Sequence, residues 1–412
     1  MTTHLYPNTF IFQRLHDGPL RTHVDLFSQT LSDAGYAMIT IHRTMRLLAD
    51  FSVWMQAQKL AIPNLSDQAI DTFLEHRYQA LKPSNDDRPA LDKLFKYLRA
   101  SGQVAPSTVI VYESPHQFAT LAFEQHLISR RNLASRTVNS YLRKVAAFID
   151  FKFGNETLTL EALCSQDITD FILHQARRYS VAYVQLIASA LRSFFKFLFQ
   201  SGITTLNLAL CVPAPAKRRC STLPKFIDDD DVDILLKSIN QATAKGCRDY
   251  AIILLLVRLG LRACEVTALT LDDLNWDAGE ITVHSKGWHC DRLPLIDEVG
   301  QALADYLHKY RPACQTRQVF ICMRPPLRGF TNSNIVTAIV RNALMQAQLN
   351  PAHKGAHLLR HSLATRLLRN GASLTEIGDL LRHRDINTTQ VYAKVDEAAL
   401  RALALPWPVG EL

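Results

Sequence analysis

The stretch His357-Leu-Leu-Arg-His-Ser-Leu-Ala-Thr-Arg-Leu-Leu-Arg-Asn-Gly371, followed by Leu374 to His383 and then Tyr392, decides how this chain is read. Leu363, Leu367 and Leu368 recur at helical spacing, and Gly371 is the residue type that ends a helix. A helix therefore opens at His357. Its i, i+3 spacing sets His357 and Arg360 on one face, at the end that also favours anions. A second helix is expected over 374–382, with His383 at its end, where a cation suits the helix dipole. Tyr392 is expected on a short helix opened by Asn387 and Thr388. Taken singly, each has an ordinary structural reading. A lone helical histidine usually packs, His383 can cap, and a tyrosine beside Val391, Ala393 and Val395 is usually a half-buried core residue.

Upstream, Asp228 to Asp231 cap a helix through Ile234 and Leu235, and a helix over 248–259 stops at Gly260. Gly260-Leu-Arg262 places a guanidinium at a turn between helices, pre-oriented as a planar phosphate clamp requires. Its ordinary reading is a surface arginine paired with Glu265. The β-branched run Ile281-Thr-Val283 and Gly287 predict a hairpin over 280–295. Lys286 sits at its tip, either simply solvated or able to reach a groove and protonate a leaving oxygen.

Together these positions resemble the signature of the tyrosine recombinase, or phage integrase, family. The likeness lies in Gly260-Leu-Arg262 with Glu265, Ser285-Lys286-Gly287 and His357-x-x-Arg360-His361, and continues through Leu380-Leu-Arg-His383, Asn387-Thr-Thr389 and Tyr392. The resemblance implies a mainly α fold: helical N-terminal bundle modules, then a mostly helical catalytic domain with a small antiparallel sheet, the DNA breaking–rejoining fold. It implies that Tyr392 attacks the scissile phosphate of double-stranded DNA to form a 3′-phosphotyrosyl link. Arg262 and Arg360 would clamp the non-bridging oxygens, and Lys286 would protonate the departing 5′-oxygen. His357 would assist proton transfer at the tyrosine, and His383 would orient the phosphate. No cofactor or metal is implied. The chemistry is coherent by itself: a phenol with a reference pKa of about 10 must be positioned and lose its proton, and two fixed arginines stabilise the phosphorane without magnesium. Neither a phosphate-binding G-x-x-x-x-G-K-[ST] loop nor an acidic cluster suited to two metals is found in the sequence. Two positions depart from the family pattern: Arg382 stands where a glycine is usual, which would add a phosphate contact or alter the helix end, and Cys264 takes a place commonly held by a small residue or serine.

The N-terminal half reads as helical and repeated. Arg46, Ala49 and Phe51 match Arg143, Ala146 and Phe148. Gln68, Ile70, Phe73 and His76 match Gln166, Ile168, Phe171 and His174. Leu91, Phe95, Lys96, Leu98, Ser101 and Gly102 match Leu191, Phe195, Lys196, Leu198, Ser201 and Gly202. The offset holds between 97 and 100 residues across these blocks, which predicts two four-helix units over 17–104 and 115–205. The expected divisions are 1–110, an N-terminal helical module; 111–212, a SAM-like DNA-binding module; 213–226, a linker; and 227–412, the catalytic domain with its tail. Arg130, Arg131, Arg136, Arg143 and Lys144 are candidates for a DNA-facing surface, and Lys217, Arg218 and Arg219 of the Pro-rich linker for phosphate contacts. The apolar tail, with Leu400, Leu403 and Leu405, is expected to dock on a neighbouring protomer, since the resemblance implies tetrameric synapses and possible accessory recombinases.

Composition agrees. The chain of 412 residues exceeds one ordinary core, and a formal net charge of +8 favours a polyanionic partner. The first residues lack a secretory pattern and the apolar run at 251–257 is too short to span a bilayer, so a cytoplasmic, nucleoid-associated location without membrane contact is expected. Eight cysteines without a C-x-x-C pair favour free, reduced thiols over a zinc site. Two rival readings use the same residues. A type IB topoisomerase-like enzyme would relax DNA without a defined paired site. An inactive accessory protein would bind DNA without cutting it.

Overall fold

The computed structural model describes residues 14–15, 17–104, 115–154, 159–214, 224–285, 289–383, 385 and 388–395. The chain divides into two compact units, residues 1–105 together with 222–412, and residues 106–221.

The first bundle contains α1 (Val24–Asp33), α2 (Met38–Ala57), α3 (Asp67–Ala80) and α4 (Asp87–Ala100). The second contains α5 (Pro115–Ser129), α6 (Ser135–Phe153), α7 (Ser165–Ala176) and α8 (Val181–Gln200). Each has a short 3-10 turn between its second and third helices, and each has its own apolar core. The matched phenylalanines occupy the same places in both. Phe51 meets Phe73 edge-on at 5.0 Å between ring centres and Phe95 at 6.2 Å. Phe148 meets Phe171 edge-on at 5.3 Å and Phe195 at 5.5 Å. Gly102 and Gly202 both take φ near +70° where the fourth helix ends. Helix α8 is long and apolar enough to cross a membrane, by length and composition alone, and Val184, Ile187, Leu191, Phe194 and Leu198 are buried in its bundle core.

The C-terminal part builds on α9 (Asp229–Lys237), α10 (Ala244–Arg258), α11 (Ala263–Ala268), α12 (Asp297–Asp305), α13 (Asn334–Gln346), α14 (Ala356–Arg369) and α15 (Leu374–Leu380). Strands β1 (Leu274–Asn275), β2 (Glu280–Ser285) and β3 (His289–Pro294) form an antiparallel sheet in the order β1-β2-β3. Helix α10 is the axis of the core: every residue from Ala251 to Val257 is buried, so it packs on all sides rather than along one stripe. A smaller cluster joins Leu363, Ala364, Leu368, Ile377 and Leu381 to Tyr392.

The first bundle was expected as a module separate from the catalytic domain. It has its own core, yet groups with residues 222–412, and the N–H of Leu327 donates to the carbonyl of Ala34 at 2.9 Å. Helix α15 also ends two residues earlier than expected, at Leu380, because Arg382 adopts φ +55° and cannot continue it.

Candidate active site

Arg360 lies on the first turns of α14 with 3% of its surface exposed. Its guanidinium donates to the carbonyls of Gly260 and Leu381, the ends of two other elements. Gly260 has φ +61°, and a Cβ there would lie 2.7 Å from the Leu381 side chain, so only glycine presents this carbonyl so closely. His357, one turn earlier, is open to solvent.

Arg262 caps α11. Its backbone N–H donates to Glu265 Oε2 at 2.8 Å and its Nη1 to Glu265 Oε1 at 2.6 Å, the pairing that the sequence alone allowed. Arg262 Nη2 also donates to the carbonyl of Arg382 at 3.2 Å. Arg382 closes α15: its N–H donates to Asp379 and that of His383 to Gly378, a Schellman ending whose left-handed residue is normally glycine. This explains the glycine of the family pattern: of the two roles expected of Arg382, it takes the altered helix end and not the surface phosphate contact. Its side chain is 5% exposed and its Nη2 donates to Glu265 Oε2 at 2.9 Å, so the guanidinium is paired inside the protein instead of being offered at the surface to a phosphate. Glu265 thus serves two arginines. Burial works against its ionised form, but the Arg262 backbone N–H and the charges of Arg382 and Arg262 hold its pKa below the usual carboxylate value.

Tyr392 begins a 3-10 turn, Tyr392–Val395, and its side chain is almost wholly buried. Its hydroxyl lies 2.8 Å from His361 Nδ1, and the two rings meet edge-on at 5.6 Å between centres. Burial pushes the phenol up to about 12, partly offset by Arg360. His361 had no role in the sequence reading. Only its place after Arg360 could have flagged it, and nothing in the spacing shows that Tyr392 folds back onto it. His383 Nδ1 lies 2.8 Å from Thr389 Oγ1.

Burial, then the charges of Arg360 and Arg262, hold His383 down to about 4. Burial, then His357 and Arg360, does the same to His361. Partial burial, Arg360 and Arg262 lower His357 as well. His383 is thus neutral at pH 7, not the helix-end cation its position suggested. The sign of the linkage follows: unfolded imidazoles titrate near about 6.5, so the unfolded chain takes up protons that the folded one refuses. Stability is therefore expected to fall as the pH is lowered from about 6.5 towards about 4. The melting temperature should drop across this window, and a His361→Gln, His383→Gln double variant should drop less. An equal drop would remove these two groups as the cause.

In the second bundle Arg130, Arg131, Arg136 and Arg143 are exposed, and Arg131 Nη1 donates to Ser193 at 2.7 Å. Lys144 is not part of an exposed surface. It is 8% exposed, with Nζ 2.6 Å from Ser140 Oγ and 5.4 Å from the centre of the Tyr183 ring. Arg192 and Lys196, absent from the expected set, line one cleft with His126, Arg130 and Arg131. Lys286, Lys217, Arg218, Arg219 and the tail beyond 395 lie outside the described residues. The structure therefore brings Arg262, His357, Arg360, His383 and Tyr392 to one end of α14, with Glu265, His361 and Arg382 among them.

Residues 225–399 match the phage integrase family, and residues 121–202 match the phage integrase N-terminal SAM-like domain. The chain is 38% identical to the integrase/recombinase y4rA of Sinorhizobium fredii over 97% of both chains. It is 31% identical to the tyrosine recombinase XerD of Listeria innocua, over 68% of this chain and 94% of that one. Among solved structures, the XerH recombinase on its palindromic difH substrate has a TM-score of 0.54 at 18% identity, covering 81% of this chain and 93% of that one. A lambda integrase dimer on a COC′ core site has 0.52 at 17% identity, covering 72% of this chain and 99% of that one. These two share the fold. With both family regions present in order and a relative matched from end to end, the chain belongs to the phage integrase family of tyrosine recombinases.

Proposed function

We propose that the protein is a site-specific recombinase that cuts and rejoins double-stranded DNA through a 3′-phosphotyrosyl intermediate. The observation that carries this is the convergence of Arg262, Arg360, His357 and His383 around the end of α14 that also holds Tyr392. Tyr392 is the nucleophile. Arg262 and Arg360 stabilise the pentavalent phosphate, and their present partners, Glu265 and the carbonyls of Gly260 and Leu381, are the groups with which phosphate oxygens compete. His383 orients the phosphate, and Lys286 is the proposed acid for the 5′-oxygen. The exposed Arg130, Arg131, Arg136 and Arg143, with Arg192 and Lys196, form the proposed backbone-contacting surface of the second bundle, and Lys217, Arg218 and Arg219 extend it.

Two organisational readings accompany this one. The shared phenylalanine triads support a duplication of the SAM-like bundle, with residues 17–104 as the first copy. The copies differ in charge. In the first, Arg43, Arg77, Arg88 and Arg99 form ion pairs with its own aspartates, which leaves it less suited to a phosphate backbone. A tetrameric synapse joined through the C-terminal tail completes the proposal, with accessory recombinases as further partners.

The test is to map DNA trapped covalently by the protein in cells. Adducts are expected to cluster at one paired sequence, and a plasmid carrying two copies should yield exchanged products. Scattered adducts with relaxation alone would replace this reading by a topoisomerase-like one.

A further inference from the structure

We propose that Arg382 is a positioning residue for cleavage: it offsets the charge of Glu265, and so leaves the charge of Arg262 for the scissile phosphate. The inference deepens the recombinase reading and rests on it, with Arg262 as a phosphate clamp. Three observations carry it.

The first is enclosure. The Arg382 side chain is 5% exposed, and its Nη1 donates to the carbonyl of Leu380 at 3.1 Å and its Nη2 to Glu265 Oε2 at 2.9 Å. A guanidinium so enclosed acts on DNA only through its neighbours. The second is what Glu265 also holds. The same carboxylate takes the Arg262 backbone N–H on Oε2 and Arg262 Nη1 on Oε1. Arg262 Nη2 meets the carbonyl of Arg382 at 3.2 Å. Residue 382 therefore fixes one branch of the Arg262 fork directly and the other through Glu265.

The third is charge balance. A buried carboxylate paired with Arg262 alone makes a neutral pair, which attracts a phosphate only weakly. With Arg382 as a second cation, the three groups carry one positive charge in excess. Asp291 of β3 also faces Arg382, 4.0 Å from Nε, but it is 39% exposed and better screened by solvent than Glu265. Burial opposes the ionised Glu265; after the Arg262 backbone N–H, the charge of Arg382 does most to keep it ionised, ahead of that of Arg262. A glycine at 382 would make the same left-handed turn, φ +55°, with less strain. What arginine adds at this position is the side chain alone.

Covalent trapping on a nicked duplex carrying the mapped site, at saturating protein, tests the proposal. Arg382→Met keeps the bulk and removes the cation. Trapping should slow by about tenfold, less than the loss of a donor that touches phosphate itself. Arg382→Gly, which suits the backbone, should show the same loss with the helix end unstrained. Arg382→Lys should recover part of the rate, since an ammonium can still face Glu265. The decisive arm adds Glu265→Gln to Arg382→Met. With the carboxylate neutralised, the charge of Arg262 is again uncancelled, and most of the lost rate should return. A purely structural role predicts the opposite, because a second buried substitution adds damage to the first. A double variant no faster than Arg382→Met, or full trapping by both Arg382→Met and Arg382→Gly, would overturn the proposal. If Arg262→Ala traps as fast as the original chain, the clamp reading fails and the proposal with it. If the original chain traps no DNA, the recombinase reading itself fails.

Discussion

Tyr392→Phe is expected to abolish the covalent protein–DNA complex completely while leaving DNA binding intact. The hydroxyl is the only group that the substitution removes, and the ring stays packed against Leu363, Leu368, Ile377 and Leu381. The fold loses one hydrogen bond to His361, a net cost of about 0.5–1.5 kcal/mol. A labelled nicked duplex resolved on a denaturing gel reports the adduct, and anisotropy reports binding. An adduct that survives in the variant would move the nucleophile elsewhere in the chain.

Burial of this tyrosine gives the experiment a second reading. Tyr392, the proposed nucleophile, is almost fully enclosed, its pKa is raised and its hydroxyl lies against His361. Burial shields this hydroxyl from water.

The arrangement of the candidate site was largely legible because it is built from sequence-local signals. The i, i+3 pair His357 and Arg360, the stop at Gly260 and the β-branched strand before Lys286 each follow from short-range geometry. What sequence could not show is where long side chains go once elements pack. Arg382 looks surface-exposed beside His383, but φ +55° turns it inward to Glu265, more than a hundred residues away in the chain. Lys144 follows the exposed Arg143, yet folds back on Ser140 under the Tyr183 ring supplied by another helix. His361 is the same case: its partner comes from a turn beyond α15, and the spacing of 31 residues has no helical meaning. Periodicity gives the face of a helix. It does not give the partner.

The two proposed clamp arginines are expected to separate under mutation, although both should cost about a hundred- to a thousandfold in cleavage rate. Arg262 has 29% of its side chain exposed, and its carboxylate partner keeps a second cation in Arg382. Arg262→Ala should therefore lose cleavage with little change in melting temperature. Arg360 is different. It is 3% exposed, and its guanidinium joins the end of α10 at Gly260 to the end of α15 at Leu381. Burial and the nearby charges of Arg262 and Arg382 lower its pKa to about 10, so it stays charged at neutral pH against a desolvation cost. Arg360→Ala leaves two buried carbonyls without donors, each costing about 1–3 kcal/mol. It should lose cleavage and also melt several degrees lower. Arg360→Lys tests the geometry directly, since a single ammonium lacks the planar fork that spans both carbonyls. It should recover part of the stability and little of the cleavage. Full recovery of cleavage by lysine would show that charge alone suffices at this position and that the planar clamp is not what stabilises the transition state.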